Sequence, residues 1–256
     1  MKKVLTSLFL LWVLSNQMWA GGDNFNGSLL DPNKWGYVGG GYSQNFVHTN
    51  GVITFESSNE TEGQWGYIYW KEKMSLTNNW NAKIQSYINP NFLSTNSFSG
   101  YGNIQTGIGV SDSFSTATNS YFNTFLKESY AGNTNYFNPN YNINSDNNVD
   151  AQKSSVYVDK VLLEIDYDST SGLLISKMYD FSNNSLGGVI GSNSFAVSQW
   201  GSVNEVYIVV GGNTVDTLAQ QGTATLDNFE IVPEPSALSL LAVGLGVLFR
   251  RSRKRD

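Results

Sequence analysis

The chain has 256 residues, of which 40% are hydrophobic, 14% aromatic and 14% charged, with no cysteine and a single histidine. That length suits one medium domain or at most two small ones, and the missing cysteines and histidines exclude disulfides, thiolate chemistry and zinc sites that need two imidazoles. The formal charge of −6 conceals a more acidic interior: residues 21–232 hold eight lysines, no arginine and nineteen acids, a net charge of −11. Such a surface repels phosphate backbones, so nucleic acid is not an expected partner.

At the N-terminus, Lys2 and Lys3 precede the apolar run Val4 to Leu14, and Met18-Trp19-Ala20 puts a small residue before Gly21. This is the layout of a secretory signal peptide over residues 1–20, and the run is shorter than the roughly 20 residues that a membrane span needs.

From Gly21 onward, period-2 alternation replaces any sustained helical period. Strands are expected at 51–56, 65–70, 82–88, 104–110, 120–126, 156–167, 173–181, 205–210 and 224–232, separated by Asn, Ser, Gly and Asp, residues that favour turns. Asp168-Ser169-Thr170-Ser171-Gly172 between two strong strands reads as a hairpin. The stretch 130–150, where asparagines alternate with Tyr136, Phe137 and Tyr141, reads as a long surface loop. Many strands with hardly a helix imply an all-β, two-layer antiparallel β-sandwich over residues 21–232.

Residues 233–256 form a different tail. Pro233-Glu234-Pro235 is followed by the apolar stretch 237–249 and then by Arg250, Arg251, Arg253, Lys254 and Arg255. The basic cluster stops translocation and stays cytoplasmic, which leaves the body outside the inner membrane. The apolar stretch is thin for a permanent anchor, and a transient, processed transmembrane helix fits it better. These three parts in this order resemble the PEP-CTERM sorting signal of bacterial exosortase substrates. The resemblance implies a sorting protease of the exosortase type acting at Pro233-Glu234-Pro235, and delivery to the outer envelope or exopolysaccharide matrix of a Gram-negative bacterium.

The body carries a second resemblance. Asp23-Asn24-Phe25-Asn26-Gly27 with Leu30-Asp31-Pro32 and Lys34-Trp35 is similar to the opening of concanavalin A-like lectin and glucanase domains, and Thr225-Leu226-Asp227-Asn228-Phe229-Glu230-Ile231 is similar to their closing strand. The resemblance implies a jelly-roll sandwich in which the closing strand pairs near the first. Many such domains bind sugars and some hydrolyse them.

Four groups of residues are candidates for chemistry. Glu164, Asp166 and Asp168 share one strand face, and retaining glycosidases place two carboxyls about 5 to 5.5 Å apart. By resemblance to laminarinase-like hydrolases, Glu164 would be the nucleophile, Asp166 its helper and Asp168 the acid; but Asp168 is a shortened acid at the start of a turn, and a solvated face leading into a hairpin explains all three. Trp65, Tyr67 and Tyr69 also share a face and could stack on pyranose rings, or could pack into a strand buried on both sides. His48 has no serine motif to complete a triad and reads as structural. Asp146, Asp150, Asp216 and Asp227 could offer oxygens to Ca²⁺ but lack EF-hand spacing, so no metal site and no cofactor is assigned. The expected molecule is an exported surface protein and not an enzyme, a carbohydrate-binding module for exopolysaccharide. The rivals are a structural matrix protein without a small ligand and a secreted glycoside hydrolase.

Overall fold

The computed structural model describes residues 21–27, 29–38, 46–49, 51–56, 64–88, 102–114, 118–128, 134–143, 146–148, 154–216 and 223–233. The strands are β1 (Gly21–Asp23), β2 (Trp35–Tyr37), β3 (Phe46–Thr49), β4 (Val52–Glu56), β5 (Gln64–Trp70), β6 (Met74–Ser75), β7 (Trp80–Ile88), β8 (Gly102–Ser111) and β9 (Ser120–Glu128). They continue with β10 (Thr134–Ile143), β11 (Asp146–Asn148), β12 (Ser154–Val156), β13 (Lys160–Asp168), β14 (Leu173–Asp180), β15 (Val189–Ala196), β16 (Glu205–Asp216) and β17 (Thr223–Pro233), with a short 3-10 helix at Val197–Trp200. Among the described residues no helix is long and apolar enough to cross a membrane. The expected signal peptide, Glu234, Pro235, the apolar run and the basic cluster lie outside the described residues.

Two antiparallel sheets face each other. Sheet I runs β15-β14-β13-β7-β17-β4-β3, with β1 added against β17; sheet II runs β11-β10-β9-β8-β16-β5-β2, with β12 on β10 and β6 on β16. Alternation decides which side chains fill the space between them. On β7, Trp80, Ala82, Ile84, Ser86 and Ile88 point inward; on β13, Val161, Leu163, Ile165 and Tyr167 do; sheet II answers with Ile68, Ile108, Val110, Tyr121, Phe125, Val206, Ile208 and Val210. Some polar groups buried in this layer bond across it: the Tyr121 and Ser176 hydroxyls lie 2.7 Å apart, and Asn123 Nδ2 donates across the sandwich to the Glu164 and Lys177 carbonyls at 3.0 and 2.7 Å, while its Oδ1 has no partner among the described residues.

The opening motif folds as a plug. Asp23 Oδ1 accepts from the Phe25 amide at 2.8 Å and its Oδ2 from Trp35 Nε1 at 2.9 Å, which turns the chain so that Phe25, at φ 52°, drops into the core. Phe25, Trp35, Trp70 and Phe229 then form one aromatic cluster, with Trp35 and Phe229 ring centres 4.8 Å apart. The closing strand reaches this cluster through a bulge between Asp227 and Glu230, with Asn228 at φ 51°; without the extra residue, Leu226 and Phe229 could not both face inward. Gly21 pairs with Ile231 and Asp23 with Phe229, so the first and last strands do meet.

Three expectations change. The stretch 130–150 is not simply a loop: β10 pairs with β9 from Thr134↔Glu128 to Asn142↔Ser120, and Pro139 falls in the gap between the pairings of β10 with β12 and with β11, where a missing amide hydrogen costs no ladder bond to those strands. The expected strand 156–167 is two strands, because β12 belongs to sheet II and β13 to sheet I; Tyr157, 93% exposed, marks the crossing. The last strand, expected at 224–232, runs from Thr223 to Pro233, and Pro233 pairs with Trp80.

Candidate functional site

The outer faces of the two sheets differ in chemistry. On sheet I, Glu164 and Asp166 lie on the outer face of β13, and the register sets Lys177 of β14 directly opposite Glu164. Lys177 Nζ is 3.3 Å from Glu164 Oε1 and also bonds Asp166 Oδ2. Tyr179 Oη donates to the same Glu164 oxygen at 2.9 Å, and Asn81 Nδ2 donates to Asp166 Oδ1. Burial works against the Lys177 charge, yet the Asp166 and Glu164 carboxylates hold the ammonium above its ordinary value; burial, together with the bond to Glu164, pushes Tyr179 up to about 12. Asp168 stands apart at the turn, accepting from Thr170 N at 2.9 Å and Ser171 Oγ at 2.7 Å, and these bonds, Ser171 first, hold it below the ordinary carboxylate range. The three acids share a face as alternation requires. Two of them are bound to one lysine and the third caps a hairpin.

The outer face of sheet II is aromatic. Tyr67 and Tyr69 leave β5 on this side, while Gly66, Ile68 and Trp70 face the core. The backbone of Trp65 belongs to β5, and its side chain lies outside the described residues. Phe122 of β9, Tyr207 of β16 and Phe114 complete the surface. Ring centres are 5.4 Å apart for Tyr67 and Phe122, 4.5 Å for Tyr69 and Phe114, 5.2 Å for Tyr69 and Tyr207, and 5.0 Å for Phe114 and Tyr207.

Glycines let these rings lie down. A Cβ at Gly109 would overlap the Phe122 ring, one at Gly211 the Tyr67 ring, and one at Gly36 the Tyr69 ring, so each aromatic lies across a neighbouring strand that offers no side chain. Burial pushes the Tyr67 hydroxyl up, whereas Phe114 remains 38% exposed. Beside the rings is a cleft of about 190 Å³ lined by Val38, Tyr67, Ser111, Phe114, Phe122 and Val209. A second, larger cleft of about 570 Å³ adjoins it through Ser113 and is polar, with Lys73, Ser75, Thr77, Asp112, Asn204 and Glu205. Its volume falls in the range of small-ligand sites. Lys73 Nζ lies 4.9 Å from the centre of the Tyr207 ring and 3.9 Å from Glu205 Oε2, and so joins the polar cleft to the aromatic patch.

Residues 232–254 match the family model of the PEP-CTERM protein-sorting motif. The chain carries a PEP-CTERM sorting motif. Its body has the concanavalin A-like fold. The body is similar to lectin II from Ulex europaeus, at 9% identity, TM-score 0.51, covering 84% of this chain and 98% of the lectin. It is similar to a prokaryotic β-1,3-1,4-glucanase (lichenase) from a mouse hindgut metagenome, at 12% identity, TM-score 0.50, covering 84% and 99%. It is also similar to the CBM2 module of the evolved Dit of Lactobacillus casei BL23 phage J-1, at 12% identity, TM-score 0.50, covering 82% and 94%. No curated protein sequence matches the chain.

The remaining candidates have local roles. His48 Nε2 is 2.7 Å from the Phe25 carbonyl oxygen and its ring meets Phe25 edge-on, tying β3 to the plug. Of the acids considered for calcium, Asp150 lies outside the described residues and the side chains of Asp146 and Asp216 do as well, while Asp227 accepts from the Asn228 amide at 2.6 Å. Among the described residues no group of three or more His, Cys, Asp or Glu could hold a metal ion. Sequence reasoning reached Tyr67 and Tyr69 but missed Phe114, Phe122, Tyr207 and the glycines beneath the rings. The available signal was Gly107-Ile108-Gly109 in β8, where glycine alternates with an inward residue.

Proposed function

We propose that the chain is an exported protein sorted to the bacterial cell envelope, whose concanavalin A-like body binds polysaccharide without hydrolysing it. One observation carries the binding reading: the rings of Tyr69, Phe114 and Tyr207 form a continuous patch on sheet II beside the polar cleft of Lys73, Ser75, Thr77, Asp112 and Glu205. Flat rings take the C–H faces of sugar rings, and a polar rim fixes their hydroxyls. The likeness to a lectin and a lichenase supports the ligand class.

The non-catalytic reading rests on sheet I. A glycosidase needs one protonated and one ionised carboxyl beside the scissile bond. Here Lys177 is bound to both Glu164 and Asp166, so neither carboxyl is free of a partner, and Asp168 is a turn cap. Retention of the tagged mature body on a panel of polysaccharides, including the organism's own exopolysaccharide, tests the proposal. Retention that is lost in Tyr69→Ala and kept in Tyr69→Phe supports it; no retention on any polymer returns the body to a structural matrix role.

A further inference from the structure

The two ends of the body leave it at the same place. Gly21 pairs with Ile231, so the first and last described residues of the body, Gly21 and Pro233, lie at the same end of the sandwich. Pro233 pairs with Trp80, and Trp80 with Tyr167, which places this exit at one end of sheet I. Trp80 Nε1 donates to the Ser75 carbonyl at 3.2 Å and Tyr167 Oη to the Leu76 carbonyl at 2.8 Å, while the Leu76 amide donates to the Asn204 carbonyl at 2.8 Å. Ser75 pairs with Glu205, and Tyr207 with Ser111. The exit, the polar cleft and the near edge of the aromatic patch therefore share one end of the molecule.

The tether at that end is short. The last strand runs to Pro233 and the apolar run begins at Ala237, four residues on. Four residues span at most about 14 Å, and the headgroup layer takes about 5 to 7 Å of that. The water gap between the cleft end and the headgroups is then less than about 10 Å. Charge attraction is not what would hold this end down, since Lys34, Lys71 and Lys73 alternate with Asp31, Glu72 and Glu205. The tether alone holds it.

We propose that this end face is pressed to the inner membrane while the sorting tail is attached, so that the cleft of Lys73, Thr77, Asn204 and Glu205 opens to polymer only after the tail is cut. The inference rests on the sorting reading above and adds to it an order of events: release first, binding second. A body that cannot bind polymer at the inner membrane reaches the sorting enzyme unencumbered.

The chain has no cysteine, so single cysteines report accessibility without background. The full chain carrying Asn204→Cys at the cleft, or Tyr157→Cys beside Lys160 at the opposite end of β13, is expressed in cells lacking the sorting protease and treated in spheroplasts with a polymer-bearing maleimide wider than the gap. Tyr157→Cys is expected to label throughout. Asn204→Cys is expected to lose labelling while membrane-bound and to regain it on detergent release, or when about a dozen Gly/Ser residues, spanning on the order of 20 Å, are inserted after Pro235. If the chain does not sediment with membranes, the sorting reading fails. If it sediments and Asn204→Cys labels as fast as Tyr157→Cys, the occlusion fails on its own.

Discussion

Lys177 lies directly across the β13–β14 pair from Glu164, with Nζ 3.3 Å from Oε1, and reaches Asp166 on the same face. One lysine thus engages two of the three acids that a glycosidase reading requires. Glu164 is 8% exposed, so its pairing with that cation is largely shielded from water. Lys177→Met should lower stability by about 2 kcal/mol, because it leaves a desolvated carboxylate without its lysine. Glu164→Gln keeps an acceptor for Tyr179 and should cost about 1 kcal/mol. The double variant should lose less than the sum, and additive losses in denaturant titrations would show the pair to be uncoupled.

The same pairing bears on catalysis. The purified body should release no reducing sugar from β-glucans, agarose or carrageenan, and Glu164→Gln should change nothing in that assay. Sugar release by the natural chain that Glu164→Gln abolishes would establish a secreted glycanase instead.

Phe122 lies over Gly109, and Tyr67 over Gly211. Gly109→Ala should therefore cost about 1 to 3 kcal/mol by forcing the Phe122 ring off the sheet, with a changed near-ultraviolet circular dichroism spectrum. Tyr207→Ala removes a ring from the patch and should weaken polysaccharide retention by about tenfold, the equivalent of about 1.4 kcal/mol. Tyr207→Phe should restore it. Equal retention by all three proteins would place binding elsewhere.

Stability should fall at high pH. Burial raises Tyr121 and Tyr179 from 10.0 to about 12, so the folded state holds these protons more tightly than the unfolded chain. Their contribution is complete below pH 10 and is lost as the pH rises through about 12. Urea midpoints should be level up to about pH 10 and then decline, less steeply in Tyr179→Phe. At the acid end, turn hydrogen bonds lower Asp168 and Asp180 from 3.8, so their contribution is present above that value and lost as the pH falls below it. A midpoint unchanged between pH 10 and pH 12 would contradict the alkaline assignment.

Asp23 holds both the Phe25 amide and Trp35 Nε1. Asp23→Ala should leave a largely buried indole donor unpaired and cost about 1 to 3 kcal/mol, more than Asp31→Ala in the exposed turn that follows. Thermal unfolding of the two variants checks the order.

Much of the fold was legible because it is written in short windows. Alternation in Trp80–Ile88 and Lys160–Asp168 names the inward residues directly, and the proline, apolar and basic pattern of the C-terminal tail is local as well. The opening motif is also local, since Asp23, Phe25 and Trp35 meet within a dozen residues, although their contacts were not read from the sequence. The asparagine-rich strand β10 escaped notice because its composition favours turns, and its pairing with β9, β11 and β12 holds it extended. Likewise, no window shows that Lys177 will face Glu164, that glycines 109 and 211 will lie beneath Phe122 and Tyr67, or that Gly21 will stand beside Ile231. Gly211 and Tyr67, like Gly21 and Ile231, come from strands far apart in the chain, and the other two pairs depend on the register of consecutive strands. A shift of one residue in register would send every such side chain to the opposite face, so the sites were decided by how the strands pair and not by the strands themselves.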